Sequence, residues 1–361
     1  MMNPFRRHKS DSKVVPRIPT SDKFRMPPEE YPHEGTWLQW PHNFGWDPDH
    51  VQRYEATWIA MTQALHTGEK VHIIVYNDAE QERVQHILSQ PPNSMDMTQI
   101  DFYTFHTDDV WVRDNGPIFV FDTNSEDEEE LCITNWIFNA WGGKADDYYD
   151  NYVPLKVGHA LELPVMDVPM VLEGGSIEVD GRGTLMAKRS SILNANRNKG
   201  WTQQDAERFF SHYLGVTNFI WLDGKKGGSD ITDDHIDGTA RFANGDTIVT
   251  FYKEDFVAPK EYKILQNAKD AQGQPYKMVH LPCTKHKLKR VGDYGIYTNF
   301  YVANKVVLVP AFDDPNDKVA MDKLARLYPT RQAVGIPCTE VYRDGGLVHC
   351  ITQQQPAKQR K

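Results

Sequence analysis

No apolar run in this chain approaches the ~18 residues that cross a membrane, so it offers no candidate helical span. Cysteine is scarce, 4 in 361 residues, at positions 132, 283, 338 and 350. No pair is spaced as CxxC or CxxH, which argues against a structural zinc site. A chain this long needs no disulfides to support its core. Positive charge is in the minority: 40 Lys and Arg stand against 50 Asp and Glu, a formal net charge of -10. Such a chain repels nucleic acid and anionic membrane and draws small cations. The stretch Met1–Lys13 is basic and lacks an apolar segment, so no signal peptide is expected and the expected location is cytoplasmic. Residues 1–24 carry Lys, Arg and scattered prolines and read as a flexible tail; residues 25–361 read as a single domain.

What the chain does have is a recurring unit. A short β-like run carries a polar residue at or near its start, turns into a second run, and is followed later by an amphipathic helix. The copies begin at Val110–Phe121, Leu172–Val179, His235–Phe242, Asn299–Val302 and Gly345–Thr352. Asn244-Gly245 and Asp180-Gly181 are strong hairpin signals, because such turns need positive φ. Helical spacing marks residues 51–66, 202–214, 260–271 and 316–327, the second opened by Thr202 with Asp205 three positions on. The polar markers Asp114, Glu173, Asp237, Asn299 and Cys350 recur at intervals of about 50 to 65 residues, which favours a modular, propeller-like α/β assembly over one doubly wound sheet. Modules set about an axis bring their strand starts, and so their markers, into one central pocket.

The candidate set is then Asp114, Glu173, His235, Asp237 and Cys350. Each has an ordinary structural explanation taken singly: a buried thiol, turn chemistry at Asp114-Asn-Gly-Pro117, a tight turn at Glu173-Gly-Gly, a chance His-x-Asp. Were His235 and Asp237 on a strand, the period of two would put them on one face. Together the groups suit attack on a guanidinium carbon. Carboxylates grip that planar cation by charge-assisted hydrogen bonds. A thiolate is the nucleophile, favoured by the bound cation. A histidine protonates the leaving ammonia and then activates water.

The sequence resembles the agmatine deiminase family, similar to the bacterial-type peptidylarginine deiminases within the guanidine-modifying superfamily. The matching segments are Met26–Pro41 (with Trp37 and Trp40), Trp111–Pro117, Asn139–Gly143, Leu172–Ile177, His235-Ile-Asp237 and His349–Gln354, in family order. The resemblance implies a five-bladed, pseudo-fivefold α/β propeller of ββαβ-type modules. It implies Cys350 as nucleophile and His235 as general acid, then base. Asp114 and Asp237 would bind the guanidinium, Glu173 would help hold it or organise His235, and Trp111 would wall the pocket. It implies no metal and no organic cofactor, a small cationic guanidine substrate and, in many relatives, a homo-oligomer. Agmatine is the leading substrate expectation. The chain departs from the family pattern at Leu347, where many members carry Asn, in segment 229–234, and after Pro41.

Four other readings stand beside it. A deiminase of free or peptidyl arginine would want a cation for the carboxylate, with Lys144, Arg113 or Arg241 as candidates. An amidinotransferase would need room for an amine acceptor. A metalloenzyme could be built on His349, His235 and Cys350. A non-catalytic binding platform has no use for all five reactive groups together.

Overall fold

The computed structural model describes residues 24–43, 48–124, 129–146, 148–227, 230–252 and 257–358. The expected tail over 1–24 lies outside them except for Phe24, which pairs with Asp122 at a sheet edge. Most of the acidic stretch Asn124–Glu130, which its run of like charges marks as a solvated hairpin tip in the sequence, lies outside them too.

The chain folds as a mixed α/β structure of several small sheets, and one connectivity recurs in five of them. Strand Ile118–Asp122 pairs antiparallel with Glu130–Ile137, helix Val153–Leu161 follows, and Val165–Val171 returns parallel. Ile177–Val179, Thr184–Lys188, helix Gln203–Leu214 and Asn218–Leu222 repeat the order. So do Ala240–Ala243, Thr247–Phe251, helix Pro259–Gln266 and Lys277–Leu281. Tyr301–Val302, Val306–Ala311, helix Pro315–Leu327 and Gln332–Pro337 make the fourth. The fifth joins the two ends of the fold: Gln353–Pro356 pairs antiparallel with His33–Gln39, helix Pro48–Leu65 follows, and Lys70–Val75 returns parallel.

Local chemistry explains the elements. Thr202 and Asp205 form a capping box on helix Gln203–Leu214, which ends at Gly215 with φ 71°. Asp314 and Asp317 do the same for Pro315–Leu327, with Pro at the first turn. Asn244 and Gly245 both take positive φ, 53° and 66°, in the three-residue loop between the paired Ala243 and Thr247. Helix Pro259–Gln266 is shorter than the spacing over 260–271 predicts: it ends at Asn267, and Lys269 then bridges to Pro275. The central strands Val306–Ala311 and Lys70–Val75 are buried along most of their length, whereas outer parallel strands such as Gln332–Pro337 are partly exposed. Among the described residues, no helix is long and apolar enough to cross a membrane.

Candidate active site

Each marker residue occupies the same topological place, just before the first strand of its module. Asp114 sits in the one-turn helix Val112–Asn115 before Ile118–Asp122. Glu173 caps the turn Gly174–Ser176 before Ile177–Val179. Asn299 precedes Tyr301–Val302, and Cys350 lies in the turn His349–Ile351 before Gln353–Pro356. His235 and Asp237 are not on a strand, contrary to the expectation from the period of two. They lie in the bend that leads into Ala240–Ala243, closed by the Thr239 and Ala240 amides donating to Ile236 O. They still face one point, because the bend turns both inward.

That point is marked by Gly175. A Cβ built there would lie 2.7 Å from His235 Nδ1, 2.8 Å from Asp114 Oδ1 and 3.0 Å from Asp237 Oδ2. Only a residue without a side chain leaves room for these groups to converge. Backbone and side-chain hydrogen bonds carry the modules into contact here. Gly175 N–H donates to Asp114 Oδ1 (3.2 Å), and Asp237 N–H to Gly175 O (3.3 Å). Thr298 Oγ1 donates to Gly238 O (2.9 Å), His349 N–H to Asn299 Oδ1 (3.0 Å), and Arg113 Nε to His349 O (3.3 Å). Each bond joins one module to the next, and the last returns to the first.

His235 is held between carboxylates, with Nε2 3.2 Å from Glu173 Oε2 and Nδ1 3.6 Å from Asp114 Oδ1. Burial works against its charge, but Asp114, Glu173 and Asp237 prevail and raise its pKa to about 9. Glu173 is fully committed: Oε1 accepts from Arg197 Nε at 2.6 Å, and Oε2 meets His235 and Ser176 Oγ. Burial raises the pKa of Asp114, with Asp237 and Glu173 adding to the rise against the opposing pull of His235. The indole of Trp141 donates to Asp114 Oδ2 at 2.8 Å. Burial also favours the neutral form of Asp237, but His349, His235 and Arg241 outweigh it and lower its pKa. The Cys350 thiol is pushed well above the usual range, first by burial and then by the charges of Asp237 and Asp114. Its sulfur lies 3.5 Å from Asn299 Oδ1, while its apolar side packs against the main core.

Trp111 lies flat against the chain before Cys350, so close that a Cβ on Gly346 would fall 1.9 Å from its ring. Leu347, the departure from the resembled pattern, is 2% exposed and lies in the apolar cluster that also holds Trp111 and Trp141 and packs against Cys350. Lys144, Arg113 and Arg241 are committed elsewhere. Lys144 Nζ bonds Asp233 Oδ2 (2.8 Å), Arg113 reaches Glu29, and Arg241 bonds both Glu29 (2.8 Å) and Glu178 (2.5 Å). Both ring nitrogens of His349 face carboxylates, so its ring is occupied. Among the described residues, no group of three or more His, Cys, Asp or Glu side chains is arranged to hold a metal ion.

Sequence reasoning missed Arg197, Trp141 and the whole Glu29–His349 side of the pocket. Asn299 carried a signal, since it occupies the fourth marker position. Trp141 carried one too, in the Asn139–Gly143 segment. Glu29 lies within the matching segment Met26–Pro41 but nothing singled it out there, and Arg197 had no signal.

The Porphyromonas-type peptidyl-arginine deiminase family's model matches residues 25–356. A Streptomyces coelicolor protein provisionally named agmatine deiminase is 33% identical over 350 residues, covering 92% of this chain and 99% of its own. A Legionella pneumophila protein with the same provisional name is 32% identical over 345 residues, 92% of this chain and 95% of its own. The solved structure of the Enterococcus faecalis agmatine deiminase, catalysing its reaction, is similar at TM-score 0.79 and 28% identity. It covers 94% of this chain and 99% of that one.

Proposed function

Because this chain belongs to the Porphyromonas-type peptidyl-arginine deiminase family, we propose that it hydrolyses agmatine to N-carbamoylputrescine and ammonia through a covalent intermediate on Cys350. The observation that carries this reading is the convergence of His235, Asp114 and Asp237 within 3.0 Å of one point at Gly175, with Cys350 inside the field of both aspartates.

In this mechanism Asp114 and Asp237 hold the guanidinium by charge-assisted hydrogen bonds. Burial first, and then their charge, keeps the Cys350 thiol protonated. A bound cation offsets that charge, so the thiol releases its proton to solvent and the thiolate forms when its target is present. The sulfur attacks the guanidinium carbon and gives a tetrahedral adduct. His235, an imidazolium below about pH 9, donates a proton to the departing ammonia. An S-alkylthiouronium remains on Cys350. Neutral His235 then takes a proton from water as it attacks the same carbon, and the C–S bond breaks to release the ureido product. Of the two roles expected for Glu173, the geometry favours orienting His235, since both its oxygens are already engaged.

Agmatine is favoured over arginine because the three cations that would answer a substrate carboxylate are bound to Asp233, Glu29 and Glu178. We also infer one catalytic domain from residue 25 on, closed as a pseudo-fivefold propeller. Supporting this are the five-times repeated strand order, the pairing of Gln353–Pro356 with His33–Gln39, and the cyclic hydrogen bonds at the strand starts.

A ureido assay across agmatine, arginine and a peptidyl-arginine tests the assignment. Agmatine should give much the highest kcat/KM, and Cys350→Ser should lower its turnover on the order of 10^4-fold or more while binding persists. A preference for arginine, or an active Cys350→Ser protein, would refute it.

A further inference from the structure

Behind Asp237 lies a buried charged chain that the reaction scheme does not use. His349 Nδ1 is 2.8 Å from Asp237 Oδ2, and its Nε2 is 2.8 Å from Glu29 Oε2. The three side chains are 2%, 3% and 10% exposed for His349, Asp237 and Glu29. Ionised carboxylates only accept hydrogen bonds, and a neutral imidazole has one N–H to give. Two such contacts on one ring are both satisfied only by an imidazolium.

The surroundings fix this ring in place. The backbone N–H of His349 donates to Asn299 Oδ1 (3.0 Å), and its carbonyl accepts from Arg113 Nε (3.3 Å). Glu29 in turn accepts from Val302 N–H (2.8 Å) and Arg241 Nη2 (2.8 Å), with Arg113 Nη2 at 3.5 Å. Arg241 is shared with Glu178, whose Oε2 accepts from Phe242 N–H. The titratable and charged groups around the chain are Glu30, His33 and Tyr301 near Glu29, Arg113, Glu178 and Arg241 between the modules, and His235, Asp114 and Cys350 on the pocket side of Asp237. Asp237 Oδ2 is occupied by His349, while among the described residues no protein donor meets Oδ1.

We propose that Glu29–His349–Asp237 is a positioning chain that keeps the Asp237 carboxylate ionised and turns its free oxygen to the substrate. This rests on the reading that Asp237 grips the guanidinium. The opposite displacements of the two buried aspartates support it. Asp237 is held low by His349, His235 and Arg241 against its burial, whereas Asp114, with no such chain behind it, is raised. Glu29 is also held low, with Arg241, His349 and Arg113 overcoming burial.

Two substitutions separate position from charge. In His349→Asn the amide nitrogen stands near Nδ1 and retains a donor for Asp237. In His349→Gln it stands near Nε2 and serves Glu29 instead. With agmatine, His349→Gln should raise KM about tenfold or more with a smaller change in kcat, as expected for the loss of one charged hydrogen bond. The acid limb of its kcat/KM profile should move up by about one pH unit and steepen, as Asp237 comes to titrate alongside Asp114. His349→Asn should fall between it and the parent in KM. Parent KM and an unmoved acid limb in a folded His349→Gln protein would overturn the proposal. Equal damage in both variants without a shifted limb would overturn it too. Should His349→Gln fail to fold, Glu29→Gln carries the test, with the same directions expected and parent behaviour as the refuting result. Cys350→Ser, assayed in parallel, isolates the underlying reading: turnover by that variant would sink the deiminase mechanism itself, and the positioning chain with it.

Discussion

On one side of Gly175, Asp114 accepts from two neutral donors, the Trp141 indole and the Gly175 amide, with His235 Nδ1 at 3.6 Å as its one cationic neighbour among the causes of its shift. On the other side, Asp237 faces the His349 imidazole with Arg241 behind it. The two aspartates are almost equally buried, 7% and 2% exposed, so depth alone would raise both pKa values. One is raised and the other lowered. Neighbouring charge, not burial, decides the sign. The functional division follows from this. In the proposed reaction Asp237 keeps its charge to lower pH than Asp114, which protonates first.

Three experiments break or sharpen that division, from the largest expected effect to the smallest. Asp237→Asn removes the standing charge and leaves His349 without its inner partner. Its kcat/KM for agmatine should fall about 10- to 100-fold, from the ~1.5–3 kcal/mol of a charged hydrogen bond. Asp114→Asn should cost about tenfold at neutral pH, less than Asp237→Asn. The pH profile separates the pair more sharply than the rates do. Because Asp114 has the raised pKa, it is the first of the two to protonate as pH falls, so the acid limb of kcat/KM belongs to it. That limb should vanish or move down in Asp114→Asn and persist in Asp237→Asn; the reverse would invert the comparison. Trp141→Phe removes one neutral donor from Asp114 and nothing from Asp237. It should lower kcat/KM only several-fold, from ~0.5–1.5 kcal/mol, and move the acid limb slightly upward.

Much of the fold was legible because its signals are local. Asn244-Gly245 carries its turn within two residues, and Thr202 with Asp205 carries its cap within four. The markers were legible by recurrence, and the structure gives all five one topological place. His235 and Asp237 show the limit of pattern reading: the spacing suggested a strand face, while a bend closed on Ile236 O delivers them. The pairing of Gln353–Pro356 with His33–Gln39 had no signal, since strands from opposite ends of the chain carry no local mark of each other. The Glu29–His349–Arg241 cluster was illegible for the same reason. Its members lie far apart in sequence, and each alone reads as an ordinary charged residue. His349 drew notice as the start of a matching segment and as a metal-ligand candidate, yet both its nitrogens serve carboxylates. Leu347 stood out as a departure, and its place in the apolar cluster beside Trp111 is something only the folded chain displays.

The central claim is that Cys350 carries the substrate carbon. Intact-protein and peptide mass spectrometry of the unaltered protein, quenched with acid during turnover of agmatine, reads this directly, because acid leaves no neutral His235 to hydrolyse the intermediate. The account predicts a mass increase equal to agmatine less ammonia, located on the peptide containing His349 and Cys350. Ureido product formed without any adduct on that peptide, or an adduct on Cys132, Cys283 or Cys338 instead, would contradict it.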